Sequence, residues 1–422
     1  MSQNQGKRMK LKEPVNESYA ATIVRLENTY PLDNSDNLVG ARFFGYNACI
    51  SKDTPLGLHV MFPPETQIDY EYAYENNLHR HSNLNKDQSA KGYLEDNRRV
   101  RAIRLRGNVS NCILMPLESL SYTGADISQL KEGDTFDELN GASICKKYVV
   151  PGSDKVPQSR ANTPKFSRVD KRLMPEHIKT VQYFRHAQQF NERPVVITQK
   201  VHGTSVRISN IPVAKELSWK DKIAKKLGVN ISEQEYDYVY GSRRVIKDSR
   251  GEQQHFYGED LWTSTGERVK DSVPKNYILY GEIIGWVNEH KPIQPNYTYN
   301  LKPGQSELYI YRVATVNPDG FVTDLSWDGV REFCKERGLN HVPELTRSMG
   351  WDETVTDHYM NKRYYDEGFG QAIPLSDPKT KDEGICLRVE GQLPVIAKAK
   401  CSEFLNHETK ILDQGQEDLE QS

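Results

Sequence analysis

Short apolar runs, rather than helical periods, dominate the first part of the chain. Within the first 150 residues these runs are β-type and are separated by Gly, Pro, Asn and Asp. The predicted strands are Ala21–Leu26, Leu38–Phe44, Leu58–Phe62, Val100–Arg106 and Cys112–Leu117. Several short strands without a clear helix predict a small β-barrel or sandwich.

The second part of the chain mixes strand and helix patterns. The predicted strands here are Pro194–Ile208, Tyr236–Val245, Tyr277–Val287, Glu307–Val316, Gly384–Val389 and Pro394–Lys400. The clearest helix is Trp327–Arg337, because Ser326 is a suitable N-cap and Gly338 stands where a helix ends. A weaker, lysine-rich helix is predicted over Ala214–Leu227.

These patterns predict an α+β protein with two domains. A basic stretch containing Ser and Pro, Pro151–Arg172, has the composition of a linker. We expect a first domain over 1–155, a linker over 156–172 and a second domain over 173–412. The acidic, Gln-rich residues 413–422 are expected to form a disordered tail.

Composition narrows the class of protein further. The 422 residues exceed the size of one ordinary core. A net charge of −2 gives no global field that would gather nucleic acid, so any basic surface must be local. The six cysteines are scattered without zinc spacing. No secretory signal or membrane-length apolar segment is present, so we expect a soluble, cytoplasmic protein without membrane contact, in the host cytoplasm if it is viral.

One short motif has the chemistry of an exposed nucleophile. Residues 198–205 have the sequence TQKVHGTS, in which Lys200 follows a β-type run and Gly203 follows three positions later. A strand end can hold a nucleophile, and a small residue lets a phosphate approach the backbone. Alone, this motif fits an ordinary solvated lysine equally well.

Three later segments change that interpretation. The apolar run Tyr277–Trp286 is interrupted by Gly281 and Glu282, and a buried carboxylate requires a charged or metal-bound partner. A second strand is led by Asp382 and Glu383. The segment 395–400 then places Lys398 and Lys400 two residues apart, on one face of a strand, where an anion such as a triphosphate would relieve their repulsion.

The order of these segments resembles the covalent nucleotidyltransferase superfamily of polynucleotide ligases and mRNA capping enzymes. The shared order is Lys-x-His-Gly-Thr, Ser-Arg, Tyr-Gly-Glu, Glu-Gly-Ile and Lys-x-Lys. His202 stands where that superfamily usually has Asp or Asn, and histidine there is familiar in RNA ligases. The resemblance therefore implies an RNA ligase.

The N-terminal half resembles the Deinococcus-type RNA ligases. The segments that carry this likeness are 92–94, 99–107, 115–117 and 174–177, the last with the sequence MPEH. In that family an OB-fold-like barrel domain precedes a nucleotidyltransferase domain built on antiparallel sheets. Few residues follow Lys400, so a C-terminal OB domain like that of DNA ligases or capping enzymes is not expected.

The resemblance implies roles for the central residues. Lys200 would attack the α-phosphorus of ATP to form lysyl-AMP, and Lys398 and Lys400 would hold the phosphate and complete the catalytic set. Glu282 and Glu383 would bind Mg²⁺ or Mn²⁺, which suits an ion that takes one or two carboxylates together with substrate phosphates. His202 and Gly203 would belong to the ATP site by their place in the motif.

Other predicted contacts lie further from the reacting atoms. Arg243 would contact the ribose side of the nucleotide, Tyr311 or Tyr309 would stack on adenine, and Gln199 would contact adenine. A surface arginine and core aromatic residues are the competing interpretations. The basic segment Arg98–Arg106 predicts an RNA-backbone contact, or equally a solvated strand face. The candidates there are Arg101, Arg104 and Arg106.

The resulting hypothesis is a monomeric, ATP-dependent RNA ligase. It would join 5′-phosphate and 3′-hydroxyl RNA ends, in a nicked duplex, through lysyl-AMP and RNA-adenylate in RNA repair. The alternatives within the superfamily are a capping guanylyltransferase and a DNA ligase. The alternative from another class is a non-catalytic RNA-binding protein. The sequence leaves open the geometry of the ends, the tolerance for DNA in each strand, the pathway and the source.

Overall fold

Two units make up the part of the chain that the structure describes. The computed structural model describes residues 11–12, 14, 16–151, 168–243, 245–247 and 260–415. The first unit contains the described residues up to 151 together with those from 405 onward. The second contains residues 168–404. Most of the predicted linker, 156–167, lies outside the described residues.

The first unit consists mainly of short strands. Its strands are β1 (Leu11–Lys12), β2 (Ala21–Leu26), β3 (Tyr30–Pro31), β4 (Leu38–Phe43), β5 (Tyr46–Ser51), β6 (Gly57–Phe62), β7 (Thr66–Ile68), β8 (Ile103–Leu105), β9 (Asn108–Ser110), β10 (Ile113–Pro116), β11 (Thr135–Phe136), β12 (Glu138–Leu139), β13 (Ala142–Ser143) and β14 (Cys145–Lys147). A single α-helix in the described residues before 151, α1 (Tyr70–Glu75), begins at the N-cap Asp69.

These strands pair in small antiparallel sheets rather than in one ring. The largest has the order β10-β6-β2-β11, and β3-β4-β5 and β1-β12-β13 are separate. Their inner faces bury Ile23, Phe62, Tyr72 and Phe136 completely. Among the described residues the pairings do not close, so the predicted barrel is not confirmed.

The basic strand expected over Arg98–Arg106 is much shorter than predicted. Only β8 is extended, because Arg98 and Arg106 adopt positive φ values of 53° and 51°. Arg106 belongs to the turn that joins β8 to β9, so it does not share a strand face with Arg104. The prediction of one continuous arginine face is wrong, since alternation along the sequence does not reveal a turn.

The second unit holds longer strands and most of the helices. Its strands are β15 (Val181–Gln182), β16 (Pro194–Lys200), β17 (Thr204–Ala214), β18 (Gln234–Gly241), β19 (Ile246–Lys247), β20 (Tyr277–Gly285), β21 (Ser306–Val316), β22 (Val322–Asp324), β23 (Asn340–His341), β24 (Glu344–Met349), β25 (Gly384–Val389) and β26 (Val395–Lys400). Its helices are α2 (Trp219–Lys226), α3 (Leu261–Val269), α4 (Trp327–Arg337) and α5 (Glu353–His358). A last helix, α6 (Ser402–Asp413), begins here, and its residues from Leu405 are grouped with the first unit.

Two sheets in the second unit carry the residues of interest. One has five strands in the order β15-β26-β25-β16-β24, and the other is built on the order β19-β18-β17-β20-β21-β22 with β23 beside β21. Nearly all neighbouring strands in both sheets are antiparallel, as predicted. The core beside the second sheet contains Val206, Ile283, Ile310, Trp327 and Phe333.

Helix predictions succeeded where the capping residues were clear. α4 spans the predicted residues, with the Ser326 hydroxyl accepting from the Gly329 amide and Gly338 left-handed at its end. The weaker helix predicted from Ala214 begins at Trp219 instead, because Ala214 still belongs to β17. Helices α3 and α6 were not predicted from their sequence patterns.

The C-terminal residues are ordered further than predicted. α6 continues to Asp413, where disorder was expected to begin, because Asp413 accepts hydrogen bonds from Arg99 and Arg101 within the first unit. Residues 416–422 of the predicted tail lie outside the described residues. All six cysteines are unpaired thiols. The helices in the described ranges are too short or too polar to span a bilayer.

Candidate active site

The break between β16 and β17 places Lys200 at a strand end. The sequence predicted one strand over Pro194–Ile208, but residues 201–203 leave the extended conformation. Gly203 is required there, because a Cβ atom on it would lie 2.2 Å from the carbonyl oxygen of Ile283. The turn is held from both sides, since the Gly203 amide donates to Glu282 Oε1 at 3.1 Å and its carbonyl accepts from Gln294 at 2.8 Å.

A buried carboxylate sits between the two predicted catalytic lysines. Glu383 is 0% exposed, and its Oε1 lies 2.8 Å from Lys200 Nζ and 3.4 Å from Lys400 Nζ. Strand register explains this geometry, because Lys200, Gly384 and Lys400 stand opposite one another on β16, β25 and β26. The two lysines therefore approach the same anion from the strands on either side of β25.

A second cross-strand row lies beside the first. Thr198, Cys386 and Lys398 are opposite one another on the same three strands, two residues from the Lys200 row. Side chains two residues apart on a strand share a face, so Lys398 and Lys200 project to the same side of the sheet. The structure thus brings Lys200, Lys398 and Lys400 together as the sequence predicted.

His202 and Glu282 complete the surroundings of the Lys200 turn. The His202 ring is packed edge-on against Tyr297 and Phe404, and its Nδ1 lies 3.7 Å from Glu383 Oε2. Glu282 is buried on β20 and accepts from Ser205 Oγ at 3.2 Å as well as from the Gly203 amide. The Glu282 carboxylate, which interrupts the apolar run, therefore accepts its hydrogen bonds from Gly203 and Ser205 of the motif that carries Lys200.

Gln199 makes contacts that differ from its predicted role. Its amide nitrogen donates to Asp382 Oδ1 at 2.7 Å, and its amide oxygen accepts from the Ile373 backbone at 2.8 Å. Burial raises the pKa of Asp382 to about 6, although its hydrogen bonds from the Tyr364 amide and Gln199 oppose that shift. These bonds fix the segment that precedes β25, while the adenine contact predicted for Gln199 stays a prediction.

A cavity opens on the face of the sheet that carries the lysines. It has a volume of about 120 Å³ and opens to solvent. The predicted site residues in its wall are Gln199, Lys200, Arg243, Glu282, Tyr311 and Lys398. Its apolar wall is formed by Ile178, Val201, Trp327, Val342 and Ile396. Four other predicted site residues of the second unit do not line this cavity: His202, Gly203, Glu383 and Lys400.

A β-bulge selects between the two candidate tyrosines. Tyr280 pairs with Arg312 while Gly281 pairs with Ile310, so Tyr311 is an extra residue on β21. Tyr311 lines the cavity, whereas the Tyr309 hydroxyl donates to Glu307 at 2.8 Å. The sequence placed both tyrosines on one regular strand face, and the bulge explains why they differ.

Three polar residues of the wall were not assigned a role from the sequence. Arg312 and Arg388 are almost fully buried on strands and line the cavity, as does His177, whose ring nitrogen bonds the Tyr311 hydroxyl. Burial, with Arg207, Arg243 and Arg312 nearby, lowers the pKa of His177 well below its usual value. The sequence indicated only His177, through the MPEH segment. It did not indicate the two arginines, because strand patterns do not distinguish a buried arginine from an exposed one.

Carboxylates for a divalent cation are present, but not as a closed cage. Among the residues that the structure describes, no group of three or more His, Cys, Asp or Glu side chains has metal-binding geometry. Glu282 and Glu383 stand on either side of the Lys200 turn, through their contacts with Gly203 and Lys200. Two separate carboxylates fit a cation that also takes phosphate oxygens and water.

Comparison with known proteins identifies the type of domain. Residues 193–400, just under half of the chain, match the family described as RNA ligase. This segment contains Lys200, Glu282, Glu383, Lys398 and Lys400. No curated protein matches the chain.

Solved structures of the Naegleria gruberi RNA ligase share the fold. A Glu-to-Ala variant with ATP and Mn has a TM-score of 0.58 at 15% identity, covering 93% of this chain and 99% of that one. A Lys-to-Met variant with AMP and Mn has a TM-score of 0.57 at 14% identity, covering 92% and 98%. At this identity the likeness establishes a mixed α/β fold with antiparallel sheets over most of the chain.

Proposed function

We propose that this chain is an ATP-dependent RNA ligase in which Lys200 carries AMP. One observation carries the proposal: within the segment that matches RNA ligases, strands β16 and β26, which both pair with β25, bring Lys200, Lys398 and Lys400 to one sheet face beside an open cavity. The cavity wall also contains Arg243 and Lys398 with the carboxylate Glu282, so it suits an anion. Arg312 and Arg388 line the cavity as well, but each is ion-paired, with Asp324 and Glu390 respectively.

The first step follows from the position of Lys200. Its ammonium pairs with Glu383, so it must leave that ion pair and lose a proton before its lone pair can attack. The Nζ–phosphorus bond then forms as the bond to pyrophosphate breaks, and pyrophosphate leaves with the electron pair. Lys398, in the cavity wall, is placed to stabilise the negative charge that develops on the phosphate oxygens.

Glu282 and Glu383 would hold a Mg²⁺ or Mn²⁺ ion together with phosphate oxygens. When bound, that ion withdraws charge from the phosphates and favours departure of pyrophosphate. Arg243 would orient the ribose side, and Tyr311 would lie along the base, since both line the cavity and Tyr309 does not. Gln199 and His202 would set the position of the nucleophile's turn.

The next two steps transfer AMP to RNA and seal the ends. A 5′-phosphate oxygen attacks the phosphorus of lysyl-AMP and releases Lys200, which gives RNA-adenylate. A 3′-hydroxyl then attacks the RNA 5′-phosphorus and expels AMP. We propose a nicked duplex as substrate, a monomeric enzyme and a role in RNA repair.

The first unit would contact the RNA and belong to an OB-like, Deinococcus-type domain. The MPEH segment supports this subtype because His177 lies in the cavity wall. Arg104 and Arg106 are exposed and donate to the backbone carbonyls of Gly107 and Asn34, so they suit a phosphate contact better than Arg101, which pairs with the Asp413 carboxylate. We propose residues 173–412 as the adenylation domain; their described part up to 404 belongs to the second unit.

Label transfer from α-labelled ATP tests the proposal. The wild-type protein should become labelled with Mg²⁺ or Mn²⁺ present, and should pass the label to a 5′-phosphorylated nicked RNA duplex before sealing it. Labelling by GTP instead would indicate a capping enzyme, and full sealing of an all-DNA nick would indicate a DNA ligase. Binding of RNA without any labelling would support the non-catalytic alternative.

A further inference from the structure

Helix α2 leaves its apolar side in solvent, and none of its residues is fully buried. Its half-buried members are Asp221 and Ala224, while Trp219 is 68% exposed, Ile223 48% and the adjoining Leu227 78%. At about 100° per residue, these three apolar side chains fall within one narrow arc, opposite the half-buried pair. The helix is thus inverted relative to an ordinary surface helix, whose apolar side faces the core.

Local contacts define both ends of α2. Ser218 and Asp221 form a reciprocal capping box, with the Ser218 amide 3.0 Å from Asp221 Oδ2 and the Asp221 amide 3.2 Å from Ser218 Oγ. The Val229 amide donates to the Ala224 carbonyl at 3.0 Å, and Lys225 forms an ion pair with Glu233, the residue before β18. The apolar arc therefore belongs to a helix with defined ends.

Positive charge surrounds the exposed arc. Lys220, Lys222 and Lys226 are exposed, and on the helical wheel they flank the arc on both sides. The acidic residue of the helix, Asp221, lies on the side away from the arc and is used in the cap. Val229, 53% exposed, extends the apolar surface past the helix end. We call this surface, Trp219, Ile223, Leu227 and Val229 with the three lysines, the α2 patch.

The chemistry of the α2 patch favours an anionic lipid surface over RNA. Single exposed apolar residues are common, but a continuous set on one helix face marks an interaction site. RNA phosphates would satisfy the lysines and a base could stack on Trp219, but neither would cover Ile223, Leu227 and Val229. A lipid interface accepts all of them, with Trp at the headgroup level, aliphatic side chains below it and lysines on lipid phosphates.

We infer that the α2 patch docks this protein reversibly on anionic lipid surfaces. The inference does not depend on the proposed ligase chemistry, since none of its residues line the cavity. A helix of two turns with three lysines is a weak anchor, so binding should require anionic lipid and should weaken as salt is raised.

Vesicle co-sedimentation of the full chain tests this inference. The wild-type protein should pellet with vesicles of phosphatidylcholine and phosphatidylglycerol, and at least several-fold less with phosphatidylcholine alone. A Trp219→Ser, Ile223→Ser, Leu227→Ser variant should lose most of the binding. The matched control, Leu56→Ser, Phe321→Ser, Met349→Ser, removes three equally exposed apolar residues elsewhere and should bind like the wild type.

Charge and competition distinguish lipid from RNA. A Lys220→Gln, Lys222→Gln, Lys226→Gln variant should lose the preference for anionic vesicles, and label transfer from ATP should be unchanged in every variant. Absence of vesicle binding, or equal binding by the serine variant and its control, would overturn the inference. If the lysine variant instead binds nicked RNA more weakly while vesicles never bind, the patch is an RNA contact.

Discussion

Each unit of the molecule contains a buried carboxylate that faces cations. In the second unit, Glu383 is 0% exposed and lies within 3.4 Å of two lysines. In the first, Glu65 is 5% exposed, lies 3.5 Å from Arg99 Nε and accepts from the Thr409 hydroxyl at 2.6 Å. By burial and pairing alone the two sites are hard to distinguish.

Charge balance and access separate them. Arg99 and Arg101 face two acids, Glu65 and Asp413, and Arg99 is sealed in by the Thr409 backbone and the Tyr148 ring. Around Glu383, Lys200 and Lys400 face one carboxylate, and Lys200 lies with Lys398 in the wall of an open cavity. A balanced, closed cluster holds a fold together, whereas an excess of one sign next to a cavity prepares the site for a ligand of the opposite sign.

The largest expected effect comes from removing the nucleophile. Lys200→Ala should lower protein labelling by ATP at least about a thousand-fold, because no other side chain can form the same phosphoramidate. A Lys335→Ala variant, which removes an exposed lysine of α4, should label normally. Persistent labelling of Lys200→Ala would show that the Glu383 cluster does not carry the nucleophile, and the catalytic distinction from the Glu65 cluster would be lost.

Lys398→Ala should have the next largest effect. Loss of one group that stabilises developing charge typically slows a reaction by about 10²–10³-fold. Single-turnover labelling at saturating ATP would measure this rate. Stability should hardly change, because the substitution relieves repulsion among like charges. A purely structural role for Lys398 would instead lower stability and leave the labelling rate near the wild-type value.

Arg99→Met should have the opposite effect, with lower stability and an unchanged labelling rate. It leaves Glu65 and Asp413 without their central partner, and breaking a buried ion pair from one side costs about 3–5 kcal/mol. Hydrogen exchange in peptides from the first unit should accelerate accordingly, while Lys200 is still labelled by ATP. If labelling is lost although the first unit retains its protection, the arginine cluster has a catalytic role.

The smallest expected effect is a pH dependence that Glu65 controls. Burial raises its pKa from 4.5 to about 7, against the opposing effect of Arg99. As pH rises between these values the unfolded chain releases this proton first, so the Glu65 contribution to stability falls, by about 3 kcal/mol at most. Urea unfolding from pH 4.5 to 7.5 should show a flatter profile for Glu65→Gln. The same pH dependence of stability in the wild type and in Glu65→Gln would contradict a raised pKa of Glu65.

Chemistry-bearing motifs were predictable where strand alternation and chain order suffice. Lys398 and Lys400 are two apart on one strand, and their shared face is confirmed by the register with β25. Residues 193–400, which contain these motifs, match the RNA ligase family, in line with the class that the motif order predicts. Helix α4 was equally clear, since both of its capping residues are visible in the sequence.

What could not be predicted depends on contacts between distant segments. Asp413 is ordered because Arg99 binds it, although more than 300 residues separate them. The buried Arg312 pairs with Asp324, and the buried Arg388 pairs with Glu390. No local sequence pattern indicates these pairs. The turn at Arg106 and the break at Gly203 escaped for the same reason, because tertiary neighbours decide them.

The bulge at Tyr311 makes β21 sensitive to length rather than to composition. Ile310 and Val313 lie in the same core although their spacing is odd, so the extra residue shifts the side-chain phase of everything that follows. A conservative substitution there would alter one contact. Deleting a single residue between them would instead exchange the inner and outer faces of half the strand. Homologues of this domain should therefore vary in the identity of these residues far more readily than in their number.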